Sequence, residues 1–285
     1  MGVAYGLAAY LFWGFVPVYF KAVAHVAALE VLAHRVVWSV VLLAILLRIS
    51  GSWRSLAGAM GSRRTVLTLL GTTTLIATNW FVFIWTVAHN QVLQASLGYF
   101  INPLVNVLLG MVFLRERLRP WQTFSVLLAT AGVGYQTWQL GTLPAVALLL
   151  AFTFGFYGLL RKTAPVEAVV GLTVETFLLV PLALVYLGYL WRDGALCFGH
   201  ASWQTNVLLP LGGVVTAVPL LWFTHAARRL RMATLGFLQY LAPSLQFLLA
   251  VAAYDEPFTR THMVSFACIW TALAIYSTST ALQGR

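Results

Sequence analysis

The sequence predicts an all-α integral membrane protein with ten transmembrane helices, built as two inverted five-helix repeats. Three observations lead to this fold class: an apolar composition, ten apolar segments of spanning length, and Lys and Arg concentrated in alternate connections. Of the 285 residues only 8% are charged and 61% are hydrophobic, and the mean hydropathy is +0.86. Soluble domains carry about 25% charged residues, so the predicted solvent for most of this chain is the lipid bilayer.

A helix needs about 20 mostly apolar residues to cross the hydrocarbon core of a bilayer. Six segments reach that length without a charged residue. The stretch 121–161 is about twice as long as one span, and Gly141 with Pro144 indicates a turn near its middle. Two further apolar segments, 29–47 and 166–190, contain ionisable residues and bring the count to ten. The six uncharged segments are 2–20, 65–88, 91–114, 201–224, 232–254 and 263–284.

Lys and Arg accumulate in the cytoplasmic connections of membrane proteins, so their distribution predicts the orientation of the chain. With ten spans, the side of the N-terminus holds thirteen of the 17 Lys and Arg residues, whereas the opposite connections hold Lys21, Arg192 and Arg260. Both termini are therefore predicted to be cytoplasmic, in a bacterial-type inner membrane. The thirteen residues are Arg48, Arg54, Arg63, Arg64, Arg115, Arg117, Arg119, Arg161, Lys162, Arg228, Arg229, Arg231 and Arg285.

An internal repeat divides the chain into predicted domains 1–140 and 141–285. An offset of 140 residues aligns Pro103 with Pro243 and Glu116 with Glu256. Because each half has an odd number of spans, the second half is predicted to be inverted relative to the first. Inverted repeats are typical of secondary transporters that work by alternating access. A duplicated membrane scaffold without transport activity is the alternative.

Two of the ionisable side chains inside predicted spans stand out, because a charge at that depth costs about 2.5–3.5 kcal/mol on insertion scales. Arg35 lies near the outer end of the second span and is interpreted as a cationic anchor for a substrate carboxylate or phosphate. Pairing with Glu30 or His34 is the structural alternative. Glu175 lies near the bilayer centre and is the candidate for proton coupling. A carboxyl that only hydrogen-bonds between helices is its alternative.

Amide and aromatic side chains at similar depth predict a pocket for a partly apolar organic solute. Hydrogen bonding between helices is the alternative role of the amides, and anchoring at the membrane interface is that of several Trp residues. The predicted substrate-binding residues, besides Arg35, are Trp13, Asn79, Trp80, Tyr99, Asn102, Tyr157, Trp222 and Gln239.

Several other functions are disfavoured by the residues. The basic residues stand in short groups between apolar runs rather than on one wet face, which argues against nucleic-acid binding. The sequence has no HExxH, Walker A or CxxC motif, and its six His are scattered, so neither an enzyme nor a metal or other cofactor is predicted. Cys197 and Cys268 are expected in a loop and a helix, so a disulfide is not expected.

Short motifs along the whole chain form a recognisable set. They are Phe12-Trp13-Gly14, Pro17, Tyr19, Lys21, Glu30, Leu32-Ala33-His34-Arg35, Trp38-Ser39, Asn79-Trp80, the string Ser96-Leu97-Gly98-Tyr99-Phe100-Ile101-Asn102-Pro103-Leu104, and Glu116 with Glu256. These residues resemble the RarD family, a branch of the EamA-type drug/metabolite transporter superfamily. The resemblance implies a ten-helix inner-membrane exporter of inverted repeats, with a central cavity formed by helices 1, 3, 4, 6, 8 and 9.

The functional hypothesis is therefore a secondary-active transporter that exports a small organic metabolite, amino acid or drug by alternating access. Its predicted partners are the small-molecule substrate, the lipid bilayer, and protons or an exchanged solute. Two alternatives stay open: a passive channel or facilitator, and an integral membrane enzyme.

Overall fold

The structure is a computed structural model that describes residues 1–88, 92–141, 145–254 and 260–282. Throughout these residues the regular secondary structure is helical, which confirms the predicted all-α class. The helices are α1 (Gly2–Ala22), α2 (Ala28–Ser50), α3 (Trp53–Gly61), α4 (Arg63–Ala88), α5 (Val92–Leu114), α6 (Pro120–Leu140), α7 (Ala145–Thr163), α8 (Ala168–Arg192), α9 (Trp203–Ala227), α10 (Met232–Gln239), α11 (Leu241–Tyr254) and α12 (Arg260–Ala281).

The helices provide ten spanning segments. Within the described residues, nine segments are long and apolar enough to cross a membrane, with α10 and the start of α11 forming one of them. The tenth is α6, whose 21 residues also have spanning length and which packs along α12. In chain order, spans 1 to 10 are α1, α2, α4, α5, α6, α7, α8, α9, α10 with α11, and α12. The remaining helix, α3, is a nine-residue segment in a connection that the sequence did not identify as helical.

Local sequence explains where several helices begin and end. Gly51 and Gly141 take left-handed φ values of 65° and 66° and so end α2 and α6. Pro120 opens α6, where a missing N–H costs nothing. Span 9 was predicted as one helix over 232–254, but it is interrupted at Tyr240. The cause is Pro243, which has no N–H to donate and whose ring clashes with the carbonyl four residues earlier.

The two halves of the chain are interleaved. The closest packing joins α6 to α12, α5 to α7, α2 to both α8 and α9, and α1 to α9. Each of these pairs contains one helix from either half. On the outer surface, large apolar side chains such as Phe177, Leu182 and Val185 are 64%, 71% and 73% exposed. Such a surface is suited to contact with lipid rather than water.

Basic residues gather at one end of the bundle, here called the arginine-rich end. Lys162, at the end of α7, donates from Nζ to the carbonyls of Ala227, the last residue of α9, and of Leu230, just beyond it. Arg228 donates from Nη1 to the carbonyl of Val166, just before α8. These contacts satisfy carbonyl groups at helix ends and tie the connections of this end together.

Glu116 joins the two halves at the arginine-rich end. Arg115 has a left-handed φ of 53°, which turns the chain back after α5 so that Glu116 N donates to Gly110 O at 3.0 Å. The Glu116 carboxylate accepts from the backbone N atoms of Met232 at 2.7 Å and Ala233 at 3.1 Å. It therefore caps α10 and places a negative charge at the positive end of that helix.

Candidate functional site

A cavity of about 150 Å³ lies inside the bundle, in the half away from the arginine-rich end. Its walls come from spans 1, 3, 4, 6, 8 and 9, the set that the family resemblance implies, and span 2 adds Arg35. Both halves of the chain therefore contribute to one site. The lining residues are Tyr10, Trp13, Val16, Phe20, Arg35, Asn79, Trp80, Phe83, Gly98, Tyr99, Asn102, Leu150, Phe154, Thr216, Leu220, Gln239, Ala242, Pro243 and Gln246.

The cavity has a closed aromatic floor. Along α1 its lining runs from Phe20 down to Tyr10, about 15 Å by helix rise. At that depth the Phe223 ring stands 5.2 Å from Phe154, 6.1 Å from Tyr157 and 6.4 Å from Tyr10, measured between ring centres. Phe223 and Tyr157 are fully buried. These rings separate the cavity from the arginine-rich end.

Arg35 is held rigidly in the cavity wall. Its Nε donates to Thr216 Oγ1 at 2.8 Å. Its Cζ lies 5.2 Å from the ring centre of Phe20 and 5.5 Å from that of Trp80, so the cation is in range of both π faces. Among the described residues no carboxylate forms an ion pair with Arg35. The alternative in which Arg35 pairs with Glu30 is therefore not the one found.

Glu30 is engaged with the connection between α8 and α9 instead. Its Oε1 accepts from the backbone N atoms of Cys197 at 2.8 Å and Phe198 at 3.1 Å. The His34 ring packs on Phe198 at 4.8 Å, and its Nε2 is 3.9 Å from Glu30 Oε1. Burial and the Glu30 carboxylate raise the pKa of the Cys197 thiol. Glu30, the acidic residue nearest to Arg35 along α2, thus hydrogen-bonds to the α8–α9 connection rather than pairing with Arg35.

Amide side chains form the polar part of the cavity wall. Asn79 Nδ2 donates to Leu150 O and to Thr153 Oγ1, both at 2.9 Å. Asn102 Nδ2 donates to Ala151 O at 3.2 Å. Both amides therefore hold α7 against the first half, as the interhelical alternative describes, while they also line the cavity.

A second amide group crosses from span 4 to span 9. Asn106 Nδ2 donates to Asn102 Oδ1 at 3.3 Å and to Gln239 Oε1 at 2.8 Å. Gln246 Nε2 donates to Trp13 O at 3.0 Å, which joins span 9 to span 1. All four lining amides, Asn79, Asn102, Gln239 and Gln246, thus have a nitrogen or an oxygen bonded to the protein itself. Fixed amides of this kind give the cavity a defined shape.

Seven of the predicted substrate-binding residues line the cavity, and two lie elsewhere. Tyr157 belongs to the aromatic floor rather than to the lining, and Trp222 packs edge-on against Phe12 at 6.1 Å between ring centres. The proton-coupling candidate, Glu175, also lies outside the lining. The seven lining residues are Trp13, Arg35, Asn79, Trp80, Tyr99, Asn102 and Gln239.

Glu175 and Arg161 form a buried ion pair below the cavity floor. Arg161 Nη1 is 3.6 Å from Glu175 Oε1, and the two side chains are 0% and 1% exposed. Tyr157 donates its hydroxyl to Glu175 Oε2 at 3.2 Å. Arg161 Nη2 donates to Ala168 O at 3.0 Å. The network therefore connects α7 and α8.

The burial of Arg161 corrects its assignment to a cytoplasmic connection. Arg161 belongs to the last turn of α7 and is the largest fully buried side chain among the described residues. Gly171 on α8 makes the necessary room, because a Cβ there would stand 1.9 Å from Arg161 Nη1. No hydrogen bond within the described structure reaches Arg161 Nε, Arg161 Nη1 or Glu175 Oε1. The pair is enclosed but incompletely satisfied.

Sequence reasoning missed the roles of Thr216 and Arg161 in the site region. Thr216 stands in an apolar run, and its only signal is the preceding Gly212-Gly213 pair, which indicates close helix approach. Arg161 was recognisable only as a charge near a helix end. Across the described residues, no group of three His, Cys, Asp or Glu side chains could hold a metal ion.

Comparison with known proteins gives consistent matches over the chain. The profile of the EamA-like transporter family matches residues 1–135. A Vibrio cholerae serotype O1 protein described as an uncharacterized transporter is 51% identical over 97% of this chain and 91% of its own. Protein RarD of Escherichia coli (strain K12) is 48% identical over 96% and 93%. One solved structure matches with a TM-score of 0.72 at 18% identity over 97% of each chain, a likeness of fold.

Proposed function

The chain belongs to the RarD group of the EamA-like transporter family, within the drug/metabolite transporter superfamily, and on that premise we propose that it exports a small organic solute by alternating access. It is a multi-pass inner-membrane transporter. The observation that carries the proposal is the cavity itself, which lies between the two halves and is closed at the arginine-rich end. We propose that this closed end faces the cytoplasm, together with both termini, so that the structure corresponds to an outward-facing state.

Residues 1–140 and 141–285 are proposed to be inverted repeats whose exchange of conformation opens the site to either side. The helix pairings support this division. In this division each span of the first half corresponds to the span five places later, so α1 corresponds to α7, α2 to α8 and α4 to α9. Exchanging the halves therefore turns the pair α1–α9 into α7–α4 and the pair α2–α9 into α8–α4. All four pairs are packed. Such symmetry gives inward- and outward-open states of similar energy. Glu256, the counterpart of Glu116, lies outside the described residues.

The substrate is proposed to bind among Trp13, Asn79, Trp80, Tyr99, Asn102 and Gln239, with Arg35 attracting an anionic group. Drug-sized ligands occupy pockets of about 300–1,000 Å³, so the smaller cavity favours a metabolite over a bulky drug. Tyr157 and Trp222 are proposed to act outside the lining. Closure of the aromatic floor involves Tyr157, and Trp222 holds α9 against α1.

The proposal is tested by counterflow in proteoliposomes, with labelled amino acids and other small organic solutes outside and an excess of the same unlabelled solute inside. Saturable counterflow is expected for the substrate. Ala242→Trp is expected to reduce it to about background, because the indole fills a cavity of about 150 Å³. Leu182→Trp on the exposed face of α8 is the matched control and is expected to keep wild-type flux.

The alternatives predict other results in the same assay. A passive channel gives flux that does not saturate and is not stimulated by solute on the opposite side. A membrane enzyme gives a chemically altered product. Counterflow that persists in Ala242→Trp at the wild-type rate would contradict the placement of the site in this cavity.

Glu175 is proposed to carry the coupled proton, with the Arg161 ion pair holding its carboxylate in one state of the cycle. Glu175→Gln is then expected to keep counterflow, which needs no net proton movement, and to lose accumulation driven by a pH gradient. The matched control is Glu167→Gln, an exposed residue eight positions earlier, at the N-cap of α8. Equal responses of Glu175→Gln and wild type to the gradient would assign the carboxylate a structural role only.

A further inference from the structure

The charges and hydrogen bonds around the cavity restrict the class of solute that it can take. Arg35 is the one charged side chain among the described lining residues. Its Nε is fixed by Thr216, and no hydrogen bond to the described residues uses its Nη1 or Nη2. A guanidinium group with two free donors on one edge matches the two oxygens of a carboxylate. Because Phe20 and Trp80 border the group, little side-chain freedom is left to lose on binding.

The same wall offers no counter-charge to a cationic group. The described lining contains no Asp or Glu. Glu30, one and a half turns from Arg35, is 1% exposed and accepts from two loop amides. The oxygens of Asn79 and Gln246 can accept a hydrogen bond from an ammonium group, but neutral amides do not balance its charge. An ammonium group would also be repelled by Arg35.

Resting on the proposed transport function, we propose that the cavity selects small apolar organic monoanions, carboxylates without an ammonium group, over the corresponding amino acids, amides and cations. One guanidinium balances one negative charge. The aromatic and aliphatic walls, among them Trp13, Val16 and Phe83, cover the apolar part of such a solute. A volume of about 150 Å³, the share of about five water molecules, limits that part to a short or branched chain.

Three solutes of nearly equal shape distinguish a monoanion site from a site for amino acids or neutral amides. Isovalerate is the monoanion, valine adds an ammonium group to it, and isovaleramide replaces its carboxylate by an uncharged amide. Saturable counterflow of labelled isovalerate is expected, and competition by valine or isovaleramide is expected to be at least about tenfold weaker. This is the order of effect of losing a hydrogen bond to a charged group. Thermal unfolding of the purified protein in detergent gives a second measurement, since a ligand that binds only the folded state raises Tm.

Variants at the guanidinium test its role directly. Arg35→Gln is expected to remove the preference for the carboxylate, so that isovalerate and isovaleramide differ by less than about twofold. Arg35→Lys is expected to keep part of that preference, because it has the charge without the planar guanidinium fork. Thr216→Val keeps the charge and removes the acceptor that fixes Nε, so a partial loss of preference is expected. Arg54→Gln, on the exposed face of α3, is the matched control.

Each combination of results decides between the proposals. If valine or isovaleramide undergoes counterflow with the wild-type protein, or stabilises it, as well as isovalerate does, the monoanion proposal is overturned and the transport proposal stands. Stabilisation by isovalerate that depends on Arg35, without counterflow, supports the monoanion site and contradicts the transport function. If isovalerate neither stabilises the folded wild-type protein nor undergoes counterflow, the monoanion proposal is overturned.

Discussion

Arg161→Met is expected to lower the free energy of unfolding by about 3–5 kcal/mol, the typical cost of removing one partner from a buried ion pair. The guanidinium is fully buried and stands 3.6 Å from the Glu175 carboxylate. After the substitution Glu175, which is 1% exposed, keeps only the Tyr157 hydroxyl as a hydrogen-bond partner among the described residues. The measurement is chemical or thermal unfolding of purified protein in detergent micelles.

The double variant Arg161→Met, Glu175→Gln isolates the cause of this loss. Removing both charges avoids the uncompensated carboxylate, so most of the wild-type stability is expected to return. Arg54→Met makes the same chemical change at an exposed position and is expected to alter stability by less than about 0.5 kcal/mol. A double variant as unstable as Arg161→Met would show that the guanidinium acts by packing and through its bond to Ala168 O rather than by charge.

The outcome also bears on energy coupling. If the substrate is a monoanion, its exit from the cytoplasm follows the membrane potential, which supplies about 2.3 kcal/mol per charge for every 100 mV. Export would then proceed without a proton, and the Glu175–Arg161 pair would serve only to close the arginine-rich end. A stable double variant that still exports would favour this scheme. Loss of gradient-driven accumulation in Glu175→Gln with counterflow intact would favour proton coupling.

Local signals were sufficient to predict the spans, because length and hydropathy are properties of single segments. They also selected seven of the nineteen residues that line the cavity, because polar side chains at mid-span are costly in lipid and stand out in the sequence. The burial of Arg161 could not be predicted from the sequence, because it depends on Gly171. That residue belongs to another helix and contacts Arg161 only in the folded chain. The same holds for Glu30, whose charge is taken by loop amides about 170 residues away in sequence.

The partner of Arg35 shows a similar limit. Sequence proximity suggested Glu30, about one and a half turns away on the same helix, or His34, the preceding residue, whereas the hydrogen bond goes to Thr216 on α9. The packing of α2 against α9 determines the partner of Arg35, and the sequence pattern of α2 alone does not predict that packing. The break in span 9 is an intermediate case: Pro243 is visible in the sequence, and the loss of a hydrogen bond to the carbonyl four residues earlier follows from backbone chemistry.

Gly213→Ala is expected to disturb the site from a distance, through the contact between α2 and α9. A Cβ at this position would stand 2.5 Å from Trp38 C, 2.7 Å from Trp38 O and 2.8 Å from Ser39 N. All three are backbone atoms, so no side chain can turn aside and the helices must separate. Such overpacking costs about 1–3 kcal/mol. Ser39 Oγ, which donates to Gly213 O at 3.2 Å, would lose its bond as well.

The separation reaches Arg35 because the contact lies one helical turn from it. Arg35 precedes Trp38 by three residues and Thr216 follows Gly213 by three, so moving the helices apart stretches the 2.8 Å bond from Arg35 Nε to Thr216 Oγ1. Counterflow is therefore expected to fall further than the stability loss alone explains. Gly188→Ala on α8 meets no atom within 4 Å and is expected to keep full counterflow with equal or higher stability. Wild-type counterflow in Gly213→Ala would mean that the Arg35–Thr216 bond does not position the guanidinium for the substrate.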